Sequence, residues 1–238
     1  MAQRKTEICM EVVEQQREIN HAALTYLDLW AAMDRDLLDG FQSAEPAERA
    51  ATLYRLAVKY RVARGISARD DDGEKLEKAA RNERWAEIVE IVCEHVEMRD
   101  DDCDVVTHLV QALRHYAAID GSQLTSAATK FLWFAGRHTI RIYDDRALRA
   151  LRPGDEGKWT EMKGYSWFEK SWASHEKDRA EQLGRAIARL EQQFAWSGVP
   201  GGMQSEALQK IPLPWFRDRI FDQYLWAKGD PDLKRGGT

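Results

Sequence analysis

The chain has 238 residues, 44% of them hydrophobic, with nine tryptophans and a formal net charge of −5. This length supplies one substantial core or two small ones. The acidic balance argues against a protein that coats nucleic acid, because non-specific affinity comes from neutralising phosphates with Lys and Arg, although 35 such residues leave room for a local basic face.

Residues 7–39 carry a drifting apolar stripe of Ile8, Val12, Ile19, Ala23, Tyr26, Leu27, Trp30, Met33 and Leu37, the spacing of a long helix. Gly40 is expected to stop it. Ser43-Ala44-Glu45-Pro46 opens a second helix, with the proline in its first turn and Leu53, Leu56, Ala57 and Tyr60 on its inner face. Residues 65–74, GISARDDDGE, read as a solvated loop, because the alternating ligands of a calcium loop are missing from the aspartate run. A third helix, running to about Met98, turns Trp85, Ile88, Val89, Val92 and Val96 inward.

The acidic turn Arg99-Asp100-Asp101-Asp102-Cys103-Asp104 supplies a cap for a helix expected over Val105–Ile119. His108 and His115 on it are seven residues apart, and with no third ligand placed they read as structural. Cys9, Cys93 and Cys103 form no CxxC pair, so neither a disulfide framework nor a cysteine metal site is expected. No metal and no cofactor are anticipated. The N-terminus lacks a signal-peptide core and no apolar run reaches membrane-spanning length; the expectation is a cytoplasmic, reduced protein.

Residues 120–151, DGSQLTSAATKFLWFAGRHTIRIYDDRALRAL, form the most informative stretch. Asp120-Gly121-Ser122 leads into a helix carrying Lys130 and the apolar run Phe131-Leu132-Trp133-Phe134. A break over Gly136–Arg141 follows, and Asp144 is a candidate N-cap of the next helix, with Arg152-Pro153-Gly154 ending it. Lys130 and Asp144 are fourteen residues apart, and a short connector that folds back lets them converge. A partly desolvated amine loses its proton more easily and becomes a nucleophile. A fixed carboxylate stabilises a cation that exists only in the transition state, such as the one formed at a sugar's C1 when an N-glycosidic bond breaks.

GYSWFEKSW, residues 164–172, then places Tyr165, Trp167, Phe168 and Trp172 as anchors of a helix or walls of a base pocket, anchors being the preferred reading. A polar helix over 174–195 buries Leu183, Ile187, Leu190 and Phe194. Ser197–Gly202 is the strongest breaker, and Ile211-Pro212-Leu213-Pro214 leads into a last helix with Phe216, Ile220 and Tyr224 inward. Gly229-Asp230-Pro231 ends the fold, and a mobile tail is expected over about 230–238. No stretch alternates as a strand does, and no repeat is visible. The expectation is all-α: a single domain over 1–238 in two lobes, the cleft lying between the N-terminal helices and those of 105–152.

Ser-Ala-Ala-Thr-Lys-Phe-Leu-Trp-Phe followed by Ile-Tyr-Asp resembles the catalytic segment of the helix-hairpin-helix DNA glycosylase superfamily, in its 8-oxoguanine glycosylase-like branch; the likeness covers about thirty residues. It implies a two-lobed helical glycosylase-like fold whose hairpin is degenerate, since the family's Leu-Pro-Gly-Val-Gly is reduced here to Gly121. It implies catalysis by Lys130 and Asp144, and base-pocket walls at Phe134 and Trp215. A DNA contact is expected at Thr125, Ser126 and Thr129, where a helix N-terminus would meet a phosphate. The partner would be DNA with an extruded modified base, the enzyme a monomer, and the lysine implies a Schiff base and lyase activity. Oxidised guanine, in repair, and a modified base of phage DNA, in defence, both remain open. The alternative is a non-catalytic helical interaction protein on the same scaffold. A metal-dependent phosphohydrolase lacks its His-Asp pattern.

Overall fold

The computed structural model of the protein describes residues 2–62, 66, 78–116, 122–152, 164–194 and 197–230. These are almost entirely helical, and no strand occurs among them. Helices α1 (Ala2–Leu29), α2 (Arg35–Phe41), α3 (Pro46–Lys59), α4 (Lys78–Val96), α5 (Asp102–Leu113) and α6 (Ser122–Phe134) are followed by α7 (Asp145–Leu151), α8 (Tyr165–Asp178), α9 (Ala180–Gln193), α10 (Gln204–Lys210) and α11 (Pro214–Lys228). A π-helical segment, Trp30–Asp34, joins α1 to α2. The acidic loop around Asp70–Asp72, the Asp120-Gly121 turn, the Pro153-Gly154 stop and the tail from 231 lie outside the described residues.

The chain divides into two compact units. The first comprises Met1–Met33, Asp145–Asp155 and Lys170–Thr238; the second, Asp34–Asp144 and Glu156–Glu169. The expected division grouped the N-terminal helices together. Instead α1 belongs with α9 and α11, while α2 and α3 belong with α4, α5 and α6.

In the first unit α1 packs on α9 and α11, and α11 on α7. The stripe Ile19, Ala22, Ala23, Tyr26 and Leu27 meets Leu183, Ala186 and Leu190 of α9 and Phe216, Ile220 and Phe221 of α11, all buried. Each such Leu, Ile or Phe is worth about 1.5–3 kcal/mol of transfer free energy. Tyr26 meets Phe216 edge-on, ring centroids 4.8 Å apart. Gly229, just after α11, lies so close to α7 that a Cβ would fall on the Arg146 carbonyl.

In the second unit α6 is the central helix. Leu124, Ala127 and Ala128, then every residue from Thr129 to Phe134, are buried, the pattern of a helix covered all round. Its cover comes from α2, α3, α4 and α5, through Leu53, Leu56, Trp85, Ile88, Val92, Val105, Leu109 and Leu113.

Several boundaries differ from the expected ones. Gly40 lies inside α2 and does not stop it; a side chain there would fall on Thr52 of α3, so the glycine permits two helices to approach. The expected helix over 174–195 is broken at Arg179, between α8 and α9. There the guanidinium donates to the His175 carbonyl (3.0 Å) and the Tyr224 hydroxyl (3.3 Å), satisfying a carbonyl at the end of α8. Helix α10 was not anticipated. The cap of α5 is Asp101, whose carboxylate accepts from the Asp104 amide at 3.0 Å. Pro46 occupies a first turn as expected, and Pro214, read as part of the lead into the last helix, is itself the first residue of α11.

Candidate active site

Helix α6 ends in a glycine-dependent turn. The Arg137 amide donates to the Leu132 carbonyl and the Gly136 amide to that of Trp133, the paired bonds of a Schellman motif. Gly136 has φ 115°, which a residue with a Cβ rarely adopts. The chain is thereby turned out of the helix into the connector 135–144.

Three side chains then hold that connector. Arg137, 13% exposed, forms an ion pair with Asp102 at 2.7 Å and donates to the carbonyls of Met98 (2.7 Å) and Asp100 (2.7 Å). Tyr165 accepts from the Arg141 amide at 2.9 Å and donates to the Arg141 carbonyl at 3.2 Å. Thr129 accepts from the Tyr143 amide at 3.1 Å, its own hydroxyl turned to the Thr125 and Ser126 carbonyls one turn back. The Tyr143 ring packs on Phe168, centroids 5.1 Å apart.

The result brings Lys130 and Asp144 together. Lys130 Nζ lies 3.7 Å from Asp144 Oδ2, donates to Ser126 Oγ at 2.7 Å and to the Tyr143 carbonyl at 3.2 Å. The lysine side chain is 3% exposed and the aspartate 32%. Asp144 immediately precedes α7. A buried amine is thus held against a carboxylate that faces partly into solvent.

The other expected site residues occupy different posts. Helix α6 begins at Ser122, so the amides of Thr125 and Ser126 fall within its ladder and are not among the unbonded first N–H groups. The Ser126 hydroxyl is turned to Lys130, and Thr129 is fully buried with its hydroxyl on Tyr143. Phe134 is a core ring packed against Tyr60 (5.3 Å) and Trp133 (4.8 Å). Trp215 lies in α11, in the first unit, beside Phe216. Tyr165, Phe168 and Trp172 are buried, in keeping with anchors.

The reading from sequence missed Arg137 and Tyr165 as the residues that shape this connector. A charged residue directly after a C-terminal glycine was the available signal for Arg137; nothing local distinguishes Tyr165 from its aromatic neighbours. His108, in α5, and His115, in the short 3-10 turn Arg114–Tyr116 that follows it, are both exposed. Among the described residues no group of three or more His, Cys, Asp or Glu side chains is placed to hold a metal ion, and no helix is long and apolar enough to cross a membrane. Compared with protein-family models, curated proteins and solved structures, the chain matches none.

Proposed function

We propose that the chain is a DNA N-glycosylase with lyase activity, acting on an oxidised or otherwise modified base extruded from the duplex. The observation that carries this reading is the pair itself: a lysine amine 3.7 Å from a carboxylate, the two set on separate elements and brought together by a tightly pinned connector. In this reading the Nζ lone pair bonds to C1 of the sugar as the C1–N bond breaks. The bond's electrons leave with the base, which takes up a proton; once the nitrogen has shed a proton, its lone pair forms the C=N bond as the C1–O bond breaks, and the ring oxygen leaves with that bond's electrons and takes up a proton, so that a Schiff base remains on Lys130. Asp144, ionised, stabilises the positive charge that develops on the sugar, and after the N–C1 bond has formed it takes the proton that the nitrogen sheds and can pass it to the ring oxygen. Access to Nζ requires its present bonds to Ser126 and Tyr143 to yield to the substrate.

A second reading has support from the same burial. A lysine 3% exposed and bonded to Ser126 and to the Tyr143 carbonyl also serves as a structural tie between α6 and the connector, as a non-catalytic interaction protein would use it.

The two are separated by borohydride trapping on oligonucleotides carrying oxidised or otherwise modified bases, including modifications found in phage DNA. A covalent adduct is expected and should vanish in Lys130→Ala. Asp144→Asn should slow base release on the order of a hundred- to a thousand-fold, the usual effect of removing one transition-state stabiliser. Asp145→Asn, at an exposed position one residue on, should be nearly silent. No adduct with any substrate, together with full folding of each variant, replaces the enzyme reading with the structural one.

A further inference from the structure

The expected site consists of Lys130 and Asp144, but nothing in that pair explains why the connector stays where it is. Residues 138–144 form no helix, so their backbone groups need partners from elsewhere. The Tyr143 amide has Thr129, and Lys130 Nζ serves the Tyr143 carbonyl. Two residues earlier both polar groups of the Arg141 backbone are met by a single atom, the Tyr165 hydroxyl. Tyr165 is 8% exposed and begins α8, so it is anchored in a helix while its hydroxyl reaches the connector. Its neighbour Phe168 carries the Tyr143 ring. One turn of α8 therefore grips the connector at Arg141 and at Tyr143, directly before the aspartate.

We propose that Tyr165 is a positioning residue for the Lys130–Asp144 pair: by holding the Arg141 N–H and C=O, it keeps the connector in the one path that sets Asp144 and the Tyr143 carbonyl against Lys130 Nζ. This rests on the reading of those two residues as the working pair. Burial pushes the phenol well above its ordinary value, with the Arg141 amide only partly offsetting it. The group therefore remains a hydroxyl, able to donate and accept together, throughout the range in which the protein would work. Tyr165→Phe removes that oxygen and leaves the ring to pack on Phe168, 6.3 Å away.

The test reads Lys130 directly and needs no DNA. The full chain is treated with an N-hydroxysuccinimidyl acetate and acylation is followed lysine by lysine by mass spectrometry, with the exposed Lys59 as internal standard. In the parent protein Lys130 should be strongly protected. Loss of two ordinary hydrogen bonds from the pinned state should raise its acylation rate about tenfold in Tyr165→Phe, with Lys59 unchanged. Leu109→Ala is the control: it costs more stability but removes none of the connector's hydrogen bonds, and should leave Lys130 protected. Unchanged protection in Tyr165→Phe, or equal acceleration in Leu109→Ala, overturns the proposal. A second measurement needs no variant: the Arg141 amide should exchange with deuterium as slowly as that of Tyr143, and exchange at the rate of an unprotected loop also overturns it. Where base release is measurable, Tyr165→Phe should lower kcat and leave KM near its parent value; a normal kcat is a third way to lose the proposal. Absence of any base release removes the glycosylase reading while leaving the labelling result to stand.

Discussion

The second unit aims many of its polar side chains at main chain, whereas the first aims many of its own at one another. In the second, Arg137 serves the carbonyls of Met98 and Asp100, Tyr165 serves both groups of Arg141, and Thr129 and Lys130 serve Tyr143. In the first, the Trp172 indole donates to Asp222, which also pairs with Arg219; Arg217 pairs with Glu176, Arg146 with Asp230 and Lys228 with Glu18. The difference follows from local structure. Packed helices satisfy their own backbone, leaving side chains to pair among themselves, while a connector of ten residues needs outside partners. The candidate site sits where those outside partners are densest, and this is how a non-helical segment can carry a carboxylate at a fixed place.

One matched substitution in each unit tests that contrast. Arg137→Met should cost about 3 kcal/mol, because it strands Asp102, leaves carbonyls unmet and breaks a pair of which both members are mostly buried. Arg146→Met, at a guanidinium that is 32% exposed and stacked on Trp226 at 4.0 Å, should cost only about 1 kcal/mol. Urea denaturation of the two variants decides the matter, and equal costs would dissolve the distinction. The smallest expected effect concerns pH. The Cys103 thiol donates to Glu169 at 3.1 Å, and burial, with that bond and the nearby carboxylate, pushes it up to about 12. A raised value means that the folded state keeps its proton longer than the unfolded one. The contribution is therefore full below about pH 9 and lost as pH rises toward 12. Urea midpoints of the parent should fall across that window, and Cys103→Ala should flatten the fall.

Much of this architecture could be read from local signals. Pro46 marked a first turn, Pro214 the approach to α11, Asp101 stood in the acidic turn that caps α5, and Gly136 marked the end of α6. Each acts through its own φ or its own side chain within a few residues. What stayed hidden depends on distant neighbours. Gly40 looked like a stop because nothing beside it announces Thr52 of α3. The break at Arg179 contains neither Gly nor Pro, and its compensation comes partly from Tyr224, in another helix. Thr129 looked like a surface hydroxyl near a helix start, yet its partner Tyr143 lies in a connector whose path no local pattern specifies. The pairing of Lys130 with Asp144 was legible as an arrangement; the residues that hold it were not.

Two helix ends of the second unit use the same turn with different residues. Helix α3 closes with Val62 donating to the Ala57 carbonyl and Arg61 to that of Val58, the same pair of bonds that closes α6. At α6 the left-handed position belongs to Gly136, whereas at α3 it belongs to Arg61, with φ 56°. A side chain in that region costs about 1–2 kcal/mol, of which a glycine's greater freedom in the unfolded chain would cancel about half. Helix α3 thus carries a standing tension that one codon change would release, and the chain folds with that reserve unclaimed.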